Sequence, residues 1–255
     1  NYDPTATMDD GSCIYCNVND SLIFTNCGQI GRFGPTQNQA NTAYSGTNLD
    51  GNVTINTQGI QEWVVPITGT YTISSYGAQG GLHTYSGNEG GLGARTSGDF
   101  QLSQGEIINI LVGQEGGDAL VVDKAAPGGG GGSFVWKNSS DSLLVAAGGG
   151  GGGSGRNWNL RHGSTSTSGY NSSDGTSGGS NGNGGMTNCY IDSSYWAGGG
   201  TGWYSDGTGG NNCTNYDYTN GGSAAEGGRS PLNGGQGGYR WIDGIDEGGD
   251  GGFGG

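Results

Sequence analysis

Six consecutive glycines, residues 148–153, follow directly on the apolar run "SLLVAA" at 142–147. The run reads as a buried strand, and the chain loses its side chains where that strand ends. Glycine gives up more backbone freedom on folding than any other residue, at about 1–2 kcal/mol of entropy per residue. An ordered glycine tract therefore needs many compensating bonds. The feature recurs, with clusters at 77–93, 128–132, 178–185, 198–210, 221–228, 234–238 and 248–255, and 62 of the 255 residues are Gly.

Three readings compete. Collagen needs Gly at every third position and abundant Pro, whereas this chain has doublets, a hexamer and 5 Pro. A flexible Gly/Ser linker is the second reading. The third is a bundle of extended polyproline-II rods, which have three residues per turn and no internal hydrogen bonds, so their amides point outward. Bare backbones lying side by side can bond to one another, and six residues at about 3.1 Å each make a rod of about 19 Å. In "GGTGWYSDGTGG" (199–210) short loops separate the Gly pairs and send the rods back and forth. Trp203, Tyr204, Tyr239, Trp241 and Phe253 then cover the bundle's faces.

Between the clusters the pattern is β. Short runs rich in Val, Ile, Thr and aromatics, bounded by Gly, Asp or Pro, lie at 52–56, 60–66, 70–76, 99–103, 106–112, 133–137 and 143–147. "TGT" at 68–70 and "SQGE" at 103–106 read as turns joining antiparallel neighbours. These strands predict an all-β sandwich or jelly roll. No sustained 3.6-residue apolar period is present, so almost no α-helix is expected. The organisation expected is a Cys- and Asp-bearing leader at 1–28, a β-subdomain with inserted glycine segments at 29–147, and a glycine-rich bundle interleaved with it at 148–255.

A net charge of −14, with Lys124 and Lys137 the only lysines, argues against nucleic acid as a partner. No apolar run approaches the roughly 20 residues that cross a bilayer. The cysteines are Cys13, Cys16, Cys27, Cys189 and Cys213. A lone CxxC with two histidines is a poor zinc set; disulfides fit better and imply an oxidising compartment. The pairs expected are Cys16 with Cys27 and Cys189 with Cys213, leaving Cys13 without a partner. N-glycosylation sequons at Asn19, Asn52, Asn138, Asn171 and Asn212 occur at about the frequency that chance gives.

Candidate chemistry is sparse. Asp3, Asp9 and Asp10 could hold Ca²⁺ through hard oxygen ligands, with a solvated turn as the plainer reading; no other cofactor is expected. The acidic group Asp243, Asp246, Glu247 and Asp250 reads as surface charge. His83 and His162 would serve a hydrolase only with a Ser or carboxylate in reach, and no G-x-S-x-G elbow is present. Trp136, Trp158, Trp196, Trp203 and Trp241 read as packing caps, with a contact surface as the alternative. The chain is not expected to be an enzyme.

The ordered motifs "TGTYTISSYGAQGG" (68–81), "GGLGARTSGDFQLSQGEIINILVGQEGG" (90–117), "GGGGGSFVW" (128–136), "LLVAAGGGGGG" (143–153), "GGTGWYSDG" (199–207) and "LNGGQGG" (232–238) resemble the glycine-rich domain of the anaplastic lymphoma kinase and leukocyte tyrosine kinase receptors, and related microbial extracellular proteins. The resemblance covers roughly 50–255. It implies a jelly-roll-like (TNF-like) β-sandwich subdomain interleaved with a bundle of glycine polyproline-II helices, an extracellular or cell-surface location, and a protein ligand without catalysis. None of the receptors' ligand-contacting residues carries over. "NYDPTATMDDGSCIY" at 1–15 resembles a repeat of secreted microbial surface proteins in which an earlier Cys precedes the Asn. That resemblance implies an upstream partner for Cys13. "GGFGG" at 251–255 stops where the family continues into a final strand, so the chain reads as an excerpt.

The function expected is a non-enzymatic extracellular structural module that builds a surface appendage or fibre by self-association, with "SLIF" at 21–24 as a strand available to a neighbour. A protein- or glycan-binding ectodomain or adhesin is the alternative.

Overall fold

The computed structural model describes residues 21–119, 126–153, 162–171, 177–187, 198–209, 225–240, 242–243 and 246–255. The chain is mostly strand with little helix. In order come α1 (Gln37–Tyr44), β1 (Val53–Thr57), β2 (Ile60–Val64), β3 (Gly69–Tyr76), β4 (Arg95–Leu102), β5 (Ile107–Leu111), β6 (Ser133–Lys137), β7 (Ser142–Ala147), a 3-10 turn at Pro231–Asn233, β8 (Ile242–Asp243) and β9 (Asp246–Glu247). Seven strands fall where the short apolar runs predict them. The helix does not, because only Ala40 and Tyr44 are buried on it. A local signal starts it instead: the Gln39 side chain turns back to accept from the Thr36 amide at 2.7 Å, one arm of a capping box.

β1, β2, β5, β6 and β7 form a five-stranded sheet in the order β1-β2-β5-β6-β7, and β3 pairs with β4 in a separate ribbon. The turns at 68–70 and 103–106 therefore do not join paired neighbours, correcting that expectation. They are crossovers between the sheets, taken side by side: Val65 donates to the Glu106 carbonyl and Gly105 to the Val65 carbonyl. Pro66 lies in this bend and has no amide to continue a ladder. The two arms keep one register throughout, with Ile60 opposite Leu111, Tyr76 opposite Arg95, Gly77 bonded to Ala94, Gly80 bonded to Gly91 and His83 opposite Asn88. A single long antiparallel arm thus belongs first to the large sheet, then to the ribbon, and finally to the glycine region.

Side chains of the large sheet alternate between two apolar clusters. Trp63, Ile108, Ile110 and Val135 face one, together with Tyr44, Leu102 and the partly buried Tyr71, Ile73 and Phe100 of the ribbon. Ile60, Leu111, Phe134 and Trp136 face the other, which Trp203 and Phe253 of the glycine-rich half close. Burial on both faces explains why "IINIL" and "SFVW" read as continuous apolar runs. Phe253 is 1% exposed, and burying such a side chain stabilises by about 1.5–3 kcal/mol. The glycine-rich half is thereby fixed to the sheet.

The segment after residue 20 does not stand free as a spare strand. Leu22 and Phe24 pack against the first cluster, with Phe24 edge-on to Tyr44 and Trp63 at centroid distances of 6.4 and 6.3 Å.

The glycine-rich segments bond to one another through the main chain at three-residue intervals. Gly77 and Gly80 donate to Ala94 and Gly91; Ala78 and Gly81 donate to Gly131 and Gly128; the carbonyls of Gln79 and Leu82 accept from Gly116 and Ala119. Every third residue addresses the same neighbour, and the three positions of the repeat face different ways. Segment 126–132 bonds to 77–82, 113–119, 148–153 and 249–255. Farther out, Gly199 donates to Thr208, Thr208 to Gly185 and Gly185 to Gly200, and Gly228 ties this group to the rest. Side chains have no room inside this mesh. A Cβ on Gly150 would fall on the carbonyl of Gly91, and one on Gly131 on the carbonyl of Phe253.

Candidate functional site

The ribbon presents the clearest candidate surface. Along β3 and β4, each of 8 residues, exposure alternates strictly, so Thr70, Thr72, Ser74 and Tyr76 face outward beside Gln101, Asp99, Ser97 and Arg95. Tyr71, Ile73, Phe100 and Leu102 point inward and hold the ribbon on the core. The outer pairs interact across the strands: Thr72 Oγ1 donates to Asp99 Oδ1 at 2.7 Å, Gln101 Nε2 donates to Thr70 Oγ1 at 2.5 Å, and the Arg95 guanidinium lies 5.4 Å from the Tyr76 ring centroid. The result is an exposed polar face along the ribbon. The alternation in "TYTISSY" and "RTSGDFQL" was its sequence signal, although "RTSG" lacks the apolar residues that mark a strand.

A second cluster is structural. Arg32 Nε donates to the Gly237 carbonyl at 3.1 Å, its Nη2 lies 3.4 Å from Glu226 Oε2, and its guanidinium stacks 4.9 Å from the Tyr239 centroid. Gly237 donates to the Arg32 carbonyl and Phe253 to that of Gly31. Residues far apart in sequence are clamped there. Asp206 organises the 3-10 turn by accepting from the Ser230 amide at 2.7 Å and Asn233 Nδ2 at 2.9 Å. Burial pushes its pKa up, but these bonds and Arg229 outweigh that and hold it below the ordinary value. The Lys137 ammonium, 2.6 Å away, likewise lowers Glu106.

A third cluster is buried. The Tyr44 hydroxyl donates to Gln61 Oε1 at 2.5 Å and accepts from the Thr25 amide at 2.9 Å, while Gln61 Nε2 donates to the Thr25 carbonyl at 2.8 Å. Burial pushes the Tyr44 pKa up to about 12. Cys27 beside it is a buried free thiol, which corrects the expected disulfide to Cys16, with Sγ 3.7 Å from the Thr25 carbonyl oxygen. Burial raises its pKa as well, which disfavours the reactive thiolate.

The remaining expectations distribute unevenly. Asp3, Asp9, Asp10, Cys13, Cys16, Cys189, Cys213, Asn19, Asn212, Trp158, Trp196 and Trp241 lie outside the described residues. Asn52 and Asn138 are exposed at turns, and Asn171 is exposed with its Oδ1 accepting from Gly178. Trp136 and Trp203 are buried packing residues in contact with each other at 5.5 Å. Asp250 accepts from the Arg240 amide at 2.8 Å; Asp243, Asp246 and Glu247 lie in the β8–β9 hairpin. His83 is buried, and its Nδ1 lies 2.9 Å from Ser86 Oγ within one tight turn. Its neighbour Asp118 instead accepts from the Leu82 amide. His162 is exposed and accepts from the Leu92 amide at 2.9 Å. Among the described residues, no three His, Cys, Asp or Glu side chains are grouped to hold a metal, and no helix is long and apolar enough to cross a membrane.

No protein-family model matches the chain. The leukocyte tyrosine kinase receptor of Mus musculus is 44% identical over 101 residues, which make up 38% of this chain and 11% of the receptor. The chain thus spans about a tenth of the length of that curated relative. The likeness is consistent with a relationship to that receptor over part of the chain.

Proposed function

We propose that the chain is a non-enzymatic extracellular structural module in which a jelly-roll-like β-subdomain interleaves with a bundle of glycine polyproline-II rods, serving as the building block of a surface appendage or fibre. The observation that carries this reading is the three-residue bonding interval of the glycine segments. A polyproline-II rod has three residues per turn, so residues i and i+3 share a side and can bond one neighbour, as Gly77 and Gly80 do with the 91–94 segment. A linker has no reason to keep such a period.

The mechanical consequence is a stiff body. Backbones locked to neighbours on several sides, with no side chains to rotate between them, give a rigid element that transmits load well. The likeness to part of a receptor and the exposed positions of Asn52 and Asn138 support a location outside the cell.

The receptor likeness and the exposed polar face of the ribbon favour a second reading, a binding ectodomain for a protein or glycan. Electron microscopy of the purified chain over a concentration series separates the two. Growing oligomers or filaments are the result expected; single particles at every concentration, with a specific ligand captured, would overturn the structural reading.

A further inference from the structure

The open edge of β4 offers one pairwise contact for such self-association, an inference that rests on the structural reading above and accounts for joining copies two at a time. Sheet edges are sticky because they offer unpaired amides and carbonyls, and proteins usually guard them with bulges, covering groups, Lys or Pro. Both edges of the five-stranded sheet are guarded here. β1 carries a register irregularity between Thr54 and Thr57, and the Gln37 side chain imitates a strand beside it: Nε2 donates to the Val53 carbonyl at 2.9 Å and Oε1 accepts from the Ile55 amide at 2.6 Å. β7 has a register shift opposite Val135 and Trp136, and its Ala146 carbonyl accepts from Thr96 Oγ1 at 2.7 Å.

β4 carries charges of both signs, Arg95 and Asp99, but shows no bulge and no side chain bonded to its outer edge among the described residues. Its register with β3 runs without a break from Arg95 to Leu102, and it contains neither Lys nor Pro. The bonds flanking the ribbon settle which groups point outward. Val65 donates to the Glu106 carbonyl and Gly77 to that of Ala94, so at both ends of the ribbon odd positions of the first arm donate to even positions of the second. In an antiparallel ladder the intervening residues turn their main-chain groups to the other side. Ser97, Asp99 and Gln101 therefore direct amide and carbonyl away from β3, and their amides have no backbone partner among the described residues. The β3 edge differs: the Tyr76 carbonyl already accepts from Ser133 Oγ at 2.6 Å, and the outward positions of β3 carry no charge.

The side chains select a partner. Arg95 and Asp99 stand two residues either side of Ser97, on the same outer face. Among the described residues neither forms an ion pair. We infer that two copies of the chain join edge to edge through β4, antiparallel and centred on Ser97, so that Arg95 of each copy faces Asp99 of the other. Main-chain parity agrees with this register, because Ser97 meets Ser97 and Arg95 meets Asp99 as hydrogen-bonded pairs. On the inner face Thr96 falls opposite Gly98, which has no side chain of its own. The two ribbons become one four-stranded sheet held by main-chain bonds and two cross-strand ion pairs.

Sedimentation velocity over a concentration series tests the interface, with thermal melts to show that each variant is folded. Arg95→Asp and Asp99→Arg each place like charges opposite one another twice, and each is expected to weaken association about tenfold or more. An equimolar mixture of the two variants, and the double variant carrying both exchanges, should recover it. Ser97→Pro should abolish it while leaving the ribbon paired, since only an outward amide is lost. A wild-type chain that assembles while all these variants assemble equally well overturns the β4 interface alone. A wild type that stays monomeric throughout overturns the self-assembly reading and the interface with it.

Discussion

Replacing Gly150 by Ala adds one methyl group at a point enclosed on three sides. The Gly150 amide donates to the Ala78 carbonyl at 2.9 Å, its carbonyl accepts from the Gly130 amide at 2.8 Å, and the position of the missing Cβ coincides with the Gly91 carbonyl and lies 2.9 Å from that of Leu92. None of these neighbours is a flexible side chain that could swing aside. Making room must separate backbone segments, which loses or lengthens two hydrogen bonds at about 0.5–1.5 kcal/mol each and adds overpacking strain of about 1–3 kcal/mol. Ala recovers only about 0.4–1 kcal/mol by restricting the unfolded chain. The net expectation is a loss of about 1–5 kcal/mol. Gly129 provides the control from a neighbouring run, because its Cβ would meet only the Gly150 carbonyl oxygen at 3.7 Å, an ordinary contact. Gly129→Ala should therefore be neutral or slightly stabilising. Urea denaturation followed by tryptophan fluorescence, with Trp136 and Trp203 as buried reporters, compares the two. Equal stabilities for the two variants would refute the packed-rod argument.

Other perturbations address the contacts between the parts. Tyr44→Phe removes bonds to the Thr25 amide and to the fully buried Gln61, and should cost about 1–3 kcal/mol by chemical denaturation. Because folding raises the Tyr44 pKa from its ordinary 10.0 to about 12, its contribution is fully present below pH 10 and is lost as pH rises through about 12. That alkaline dependence should diminish in Tyr44→Phe when denaturation is repeated across pH. Arg32→Ala should lower stability by about 1–3 kcal/mol through the loss of its bond to Gly237 and its stacking on Tyr239. Arg32→Lys should recover little in thermal melts, since an ammonium cannot stack and fork at once. Gln114 is fully buried with both side-chain amide atoms unpartnered among the described residues, so Gln114→Met, of similar length, should raise the denaturation midpoint by an amount equivalent to about 1–3 kcal/mol. A lower midpoint would show that the amide is satisfied in solution.

Strand positions were legible because short Val-, Ile- and aromatic-rich runs between glycines have few other uses, and β1, β2, β3, β5, β6 and β7 fall on them to within two residues. Their pairing was not. Turn chemistry at 66–70 and 103–106 announces a bend but carries no information about whether the next strand stays in the sheet or crosses to another. β4 begins at Arg95 rather than Asp99 because an outward polar face and Gly98 hide its first half from any apolar criterion. α1 escaped the helical period because a single pair, Ala40 and Tyr44, suffices to bury it; the T-x-x-Q cap at 36–39 was the available signal. Composition announced the glycine mesh, yet Gly129 and Gly150 are indistinguishable in sequence. Their difference lies in neighbours drawn from residues 78, 91 and 130, which only the folded register brings together. Arg95 and Asp99 read as ordinary surface charges for the same reason.

Amide hydrogen exchange of the glycine run tests the central claim most directly. Within 148–153, Gly150 and Gly153 donate to Ala78 and Gly81, while Gly149, Gly151 and Gly152 donate to no backbone carbonyl among the described residues. The account predicts slow exchange at Gly150 and Gly153, approaching that of the central strands β5 and β6, with faster exchange at the glycines between them. Uniformly fast exchange across 148–153, at the rate of an unstructured peptide, would mean that the tract is a linker and that the rods do not exist.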